Sequence, residues 1–239
     1  MKKLFKYVLQ HFGVQLNLTK NLWYKDVHLI LKQFIKIKNP IIFDVGGSDG
    51  STVLDFKKLF PASTIYSFEP FPNSYINLNK IAALNSDVHT FPYALSDNEL
   101  PTAFYINKSK ATNSLFKPIL TGSFLDNHAI LEYEIQTEQK TIDNFMLENK
   151  ILEIDILKMD VQGGELKVLK GAEQALIDKK IKFILSEIWF LAGYEDQPLY
   201  HDIASYLSNF NYKPFGVYNI HYKTNGHFLW GDAIFYLAL

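Results

Sequence analysis

Apolar residues change their spacing several times along this chain, and each change marks a boundary. Over the first 37 positions they recur at helical intervals. Leu4, Phe5, Val8, Leu9 and Phe12 share one face, as do Val27, Ile30, Leu31 and Phe34. This predicts two helices forming an N-terminal helical cap, residues 1–39, on a core domain at 40–239. At Pro40 the spacing switches to a short continuous run, Ile41, Ile42, Phe43 and Val45, as expected of a strand buried on both faces. A glycine-bearing turn follows, then Val53, Phe56, Leu59 and Phe60 at helical spacing until Pro61. The alternation continues with a strand at 64–68, a helix over 73–84 and a strand over 88–93. Residues 98–150 are an irregular excursion rich in Asn, Ser, Lys and Thr, with minor strands and a helix near 143–148. Regular alternation then resumes: strand 154–161, helix 165–177, strand 181–188, helix 198–210, and strands near 213–217 and 233–237. Strands alternating with helices predict an α/β fold, a mostly parallel sheet with helices on both faces.

Composition narrows the chemistry. The chain has 239 residues and a formal net charge of -1, and all 24 of its Lys+Arg positions are lysine. Without a basic excess, no nucleic acid partner is expected. Without arginine, the bidentate fork for phosphate and carboxylate groups is missing. The absence of cysteine excludes disulfides, thiolate nucleophiles and cysteine-ligated zinc. No apolar run approaches the roughly 18 residues of a membrane span. Lys2, Lys3 and Lys6 allow at most weak peripheral membrane association. No signal peptide is read at the N-terminus, and the expected compartment is cytoplasmic. Oligomeric state is left open.

The segment Asp44-Val-Gly-Gly-Ser-Asp-Gly50 lies where the first strand gives way to the first helix. A ligand in such a sheet sits beyond the carboxyl ends of the strands, at this kind of turn. A dinucleotide fingerprint begun at Gly46 would need glycine at 48 and 51, and both are serine. Asp44 would repel pyrophosphate but suits a ligand bearing an amino group and a sulfonium. Glu69 ends the second strand, where a carboxylate can accept hydrogen bonds from both ribose hydroxyls of an adenosyl group. Gly46, Gly47, Ser48, Gly50 and Pro70 complete the candidate cofactor wall. Leu95 and Ser96, after the third strand, are placed against adenine, or else form a plain turn.

The second dense motif is Leu157-Lys-Met-Asp-Val-Gln-Gly-Gly-Glu165. Asp160, at a strand end, is the candidate catalytic base toward an acceptor hydroxyl and a cofactor contact. Glu187, one strand away, or a histidine is its reserve. Two acids at adjacent strand ends also offer a pair of ligands to Mg²⁺. His201, His221 and His227 lie in the C-terminal region that would rim the site, and aromatic residues of the excursion, Phe104, Tyr105, Phe116 and Phe124, offer an acceptor lid.

These motifs, with Ser67-Phe-Glu-Pro70, Tyr93-Ala-Leu-Ser-Asp97, Thr112-Asn-Ser-Leu115, Ser186-Glu187 and Gly231-Asp-Ala-Ile-Phe235, resemble the FkbM-type methyltransferase family over residues 40–238. The resemblance implies a Rossmann-like class I methyltransferase with a seven-stranded sheet whose last strand is antiparallel. It also implies S-adenosyl-L-methionine as donor and O-methylation. It carries Asp44, Gly46, Gly50, Glu69 and Asp160 over as cofactor-site residues. Ser48 departs from the asparagine usual in the family. Family acceptors range from glycans to polyketides, and a hydroxyl of a sugar, glycan or related small molecule is the expected acceptor. The alternatives are a dinucleotide-dependent oxidoreductase, opposed by Ser48 and Ser51, and a non-catalytic methyltransferase-like scaffold, opposed by the presence of Asp44, Glu69 and Asp160.

Overall fold

A computed structural model of the chain describes residues 27–119, 125 and 129–238. Helix α1 (Val27–Phe34) precedes β1 (Ile41–Val45), α2 (Ser51–Leu59), β2 (Thr64–Phe68), α3 (Pro72–Ala82) and β3 (Val88–Phe91). The middle of the chain holds β4 (Ala94–Leu95), β5 (Thr102–Asn107), β6 (Leu131–Thr137), β7 (Gln139–Lys140) and α4 (Ile142–Glu148). Then come β8 (Ile154–Met159), α5 (Glu165–Lys170), α6 (Glu173–Ile177), β9 (Ile181–Trp189), α7 (Tyr200–Ser208), β10 (Tyr212–Tyr218) and β11 (Trp230–Leu237). Seven strands form one sheet in the order β10-β11-β9-β8-β1-β2-β3. The last strand, β11, runs antiparallel to both its neighbours, while β3, β2, β1, β8 and β9 pair in parallel. This is the Rossmann-like arrangement, with helices on both faces.

Each strand residue feeds one of two cores by alternation. Phe43, Val45, Phe68, Leu157 and Met159 face α4 to α7, where they meet Phe145, Leu169, Leu176, Ile203 and Leu207. Ile42, Ile65, Ile156 and Leu185 face the other side, against Leu31 of α1, Val53 and Phe56 of α2 and Leu78 of α3. Each such side chain contributes about 1.5–3 kcal/mol by leaving water. Phe145 is central to an aromatic cluster, within 6 Å of Phe43, Tyr66, Phe68 and Phe91. Local signals fix the helix starts: Thr141 caps α4 by accepting the Asn144 N–H, and Asp202 accepts the Leu199 N–H at the start of α7.

Two sequence expectations are revised. The single helix expected over 165–177 is two short ones, α5 and α6. They break at Gly171, which packs so tightly on the Ser96 carbonyl that a Cβ would lie 1.9 Å from its oxygen. The third strand stops at Phe91 rather than Tyr93, because Ala94 and Leu95 leave the main sheet to pair with β7. The excursion folds as an antiparallel hairpin, β5 with β6, separate from the main sheet. The first helical face, Leu4 to Phe12, and the lid residue Phe124 lie outside the described residues. Among the described residues, no helix is long and apolar enough to cross a membrane.

Candidate active site

The carboxyl ends of β1, β2 and β8 converge on the turn after β1. Gly46 adopts φ +80, and a Cβ there would lie 1.9 Å from the Asp160 backbone oxygen, so only glycine lets the ends of β1 and β8 approach this closely. The N–H groups of Gly46 and Gly47 both donate to the Phe68 carbonyl, at 3.0 and 2.9 Å. Gly47 and Gly50 face the interior, toward Ser67 and Ile81 respectively. Their smallness serves packing of the turn on α3.

Between these strand ends and the β5–β6 hairpin lies a cleft, at the place in an α/β sheet where ligands bind. Of the candidate residues, Gly46, Ser48, Glu69, Pro70, Leu95 and Asp160 line it. Glu69 is buried, and each carboxylate oxygen accepts one backbone N–H, from Ser48 at 2.8 Å and Phe71 at 2.7 Å. Burial pushes its pKa up to about 7, against the pull of those two donors. A carboxylate has about four acceptor positions, so Glu69 retains capacity for two further donors from the cleft.

Asp44 sits elsewhere. It is fully buried beneath the turn on the α1–α3 face, accepts the Ser67 hydroxyl at 2.7 Å and pairs with Lys158 Nζ at 3.0 Å. Lys158 also donates to the Gly46 carbonyl at 2.9 Å. Ser67 and Lys158 are the register partners of Asp44 on the two flanking strands. Burial pulls the Lys158 ammonium down, but Asp44 beside it, helped by Asp160, holds its pKa above the usual value. Asp44 therefore supports the turn from below rather than lining the cleft. Ser96 is likewise buried, donates its N–H to the Lys140 carbonyl, and stays off the cleft wall.

Asp160 and Glu187 are brought together by a residue not singled out from the sequence. Gln162, with φ +56, places its Nε2 2.8 Å from Asp160 Oδ1 and 2.8 Å from Glu187 Oε2. Its Oε1 lies 3.2 Å from the Tyr194 hydroxyl. Glu187 also accepts the Trp189 indole N–H at 3.0 Å. Burial first, then the charges of Asp160 and Glu165, raise the Glu187 pKa well above the carboxylate range. Buried Glu165 accepts the Val161 N–H, and burial raises its pKa to about 7. The two acids proposed for Mg²⁺ are thus bridged by an amide nitrogen. Among the described residues, no group of three or more His, Cys, Asp or Glu is arranged to hold a metal ion. His201, His221 and His227 are exposed and line no part of the cleft.

The family model for the methyltransferase FkbM domain matches residues 44–214, from the buried aspartate of β1 into β10. The chain belongs to the FkbM methyltransferase family. This FkbM methyltransferase is 29% identical to the 2-O-methyltransferase NoeI of Sinorhizobium fredii (strain NBRC 101917 / NGR234) over 183 residues, 73% of the chain and 71% of NoeI. It is 27% identical to methyltransferase sdnD of Sordaria araneosa over 182 residues, 66% of the chain and 70% of that protein. In fold it resembles magnesium protoporphyrin IX methyltransferase (ChlM) from Synechocystis PCC 6803, with TM-score 0.50 and 9% identity, covering 98% of the chain and 91% of ChlM. The activity of this FkbM methyltransferase is methyl transfer, the reading the motifs pointed to in place of an oxidoreductase.

Proposed function

We propose that the protein is an S-adenosylmethionine-dependent O-methyltransferase whose acceptor is a hydroxyl of a sugar, glycan or related small molecule. The observation that carries this reading is Glu69. Its carboxylate is anchored by two backbone amides, faces the cleft beside the glycine bend, and has acceptor positions for a ribose diol. Leu95, Ala94 and Pro70 give the same end of the cleft an apolar wall suited to adenine. The bend at Gly46 leaves the backbone bare where a ligand passes toward Asp160. The donor set fits the cofactor, which when bound supplies a methyl group already activated by its sulfonium charge.

The work left to the chain is alignment and proton removal. Holding oxygen, carbon and sulfur in line is worth on the order of 7–11 kcal/mol. A positioned base contributes about 10²–10⁴-fold. Asp160 is exposed at the cleft, and its Oδ1 is held by Gln162, leaving Oδ2 to take the proton of an acceptor hydroxyl. Glu187 supports it through the same amide. An oxygen acceptor is supported by NoeI, named a 2-O-methyltransferase.

Calorimetric titration with S-adenosylmethionine and a labelled-methyl transfer screen over sugars and glycolipids test the proposal. Glu69→Ala removes two charge-assisted acceptors, so affinity is expected to fall by 10-fold or more, given roughly 1.5–3 kcal/mol per bond. Asp160→Ala is expected to lose turnover while still binding cofactor. Undiminished affinity in Glu69→Ala, or label located on nitrogen or carbon of the acceptor, would overturn it.

A further inference from the structure

The hairpin segment beside the cleft brings it two side-chain donors, Asn113 and Lys110, that have no acceptor among the described residues. Asn113 follows the short 3₁₀ turn Lys110–Thr112, is 8% exposed and lines the cleft. Its amide is oriented by the chain itself. Oδ1 accepts the Asn107 backbone N–H at 2.9 Å, which sets Nδ2 on the opposite side of the amide, and Nδ2 has no hydrogen-bond partner among the described residues. A buried donor left unmet is destabilising and calls for an explanation. Lys110 lines the same cleft and is exposed. It is the one lysine among the lining residues, and no acid pairs with it among the described residues.

The position of Asn113 along the cleft is fixed by its neighbours. Ser114 Oγ donates to the Gln162 carbonyl at 2.7 Å, and the Tyr194 hydroxyl donates to the Thr112 carbonyl at 2.9 Å while lying beside Gln162. Both flanking residues are tied to the turn after β8, which carries Asp160. Phe104 and Leu115 of the same cover pack with Phe71, near Glu69. Asn113 therefore serves the Asp160 end. The acids lining the cleft, Glu69 and Asp160, suit hydroxyl and ammonium groups and repel a carboxylate. Lys110 and Asn113 provide the opposite chemistry.

We infer that Lys110 and Asn113 form a carboxylate subsite that takes the α-carboxylate of the methionine portion of the donor. This rests on the reading of the cleft as an S-adenosylmethionine site. The lysine supplies charge, and the amide, its oxygen held by the Asn107 N–H, supplies an unpartnered pair of N–H donors.

Calorimetry with S-adenosylhomocysteine and 5′-methylthioadenosine separates the possibilities, because the two share adenosine and sulfur and differ in the amino-acid tail. The variants are Asn113→Asp and Lys110→Met. Asn113→Asp keeps an oxygen for the Asn107 N–H and replaces the free amide nitrogen by a second oxygen. Each variant is expected to lose roughly 10- to 100-fold in affinity for S-adenosylhomocysteine and none for methylthioadenosine, whose retained binding also reports a folded cleft. Equal losses for both ligands would assign Asn113 to the adenosine and overturn the subsite. Unchanged S-adenosylhomocysteine affinity would overturn it too, including the case where only the KM for a carboxylated acceptor rises. A wild-type protein that binds neither ligand would instead sink the cofactor reading itself.

Discussion

Replacing Asp44 by alanine separates support of the turn from contact with the ligand. Asp44 has no exposed surface, and Lys158 is 6% exposed. The substitution removes the 3.0 Å ion pair and the 2.7 Å bond from Ser67 at once, and leaves the Lys158 ammonium buried with only the Gly46 carbonyl. Breaking one partner of a buried pair costs about 3–5 kcal/mol. For a chain of this size each kcal/mol shifts Tm by about 2–4 °C, so melting is expected to fall by roughly 6–20 °C. A double variant, Asp44→Leu with Lys158→Met, removes the orphaned charge and is expected to recover most of that loss, since apolar replacements of buried pairs are often neutral. Differential scanning calorimetry measures the stability, and titration with S-adenosylhomocysteine below the melting range measures the site. If Asp44→Ala melts like the wild type while cofactor affinity collapses, the aspartate faces the ligand and the reasoning fails.

Between pH 4.5 and 7, stability is expected to fall as pH rises. Glu69 and Glu165 keep their protons to about 7 in the fold, whereas an unperturbed carboxyl releases its proton near 4.5. The unfolded chain therefore binds fewer protons across that window, and each group contributes on the order of 3 kcal/mol that is lost on going up through it. Thermal melts at pH 5 and 7.5 check the sign, and a higher Tm at pH 7.5 would show that other groups dominate. Gln162→Leu removes the one amide between Asp160 and Glu187 and is expected to lower kcat about 10- to 100-fold with a shifted acidic limb of the pH profile. Cofactor affinity should hold in the same variant, and an unaltered pH profile would reduce Gln162 to a packing residue.

The succession of strands along the chain and the strand-end acids were legible because strands buried on both faces read as unbroken apolar runs and their turns carry glycine. The direction in which each acid points was not. Asp44 and Glu69 look equivalent along the chain, yet one lies beneath the turn and the other opens into the cleft. That difference is set by cross-strand register, which places Asp44 between Ser67 and Lys158. Lys158 could have been noticed as the lone cation inside the apolar run of β8. Gln162 was readable only as part of a turn, since a left-handed glutamine bridging two acids leaves no mark in periodicity. The break between α5 and α6 was hidden because Leu166, Leu169, Ala172 and Leu176 keep helical spacing across it. What meets the chain at the break is remote in sequence: the Ser96 carbonyl packs on Gly171, and Asp143 donates its N–H to the Gly171 carbonyl while its carboxylate accepts the N–H groups of Gln174 and Ala175.

The β5–β6 hairpin shares no ladder bond with the seven-stranded sheet. Its connecting segment is nevertheless fastened to the turn after β8, through Ser114 on the Gln162 carbonyl and the Tyr194 hydroxyl on the Thr112 carbonyl. The length and outward side chains of β5 and β6 are therefore free to drift between relatives, whereas any change in the segment joining them is transmitted to Asp160.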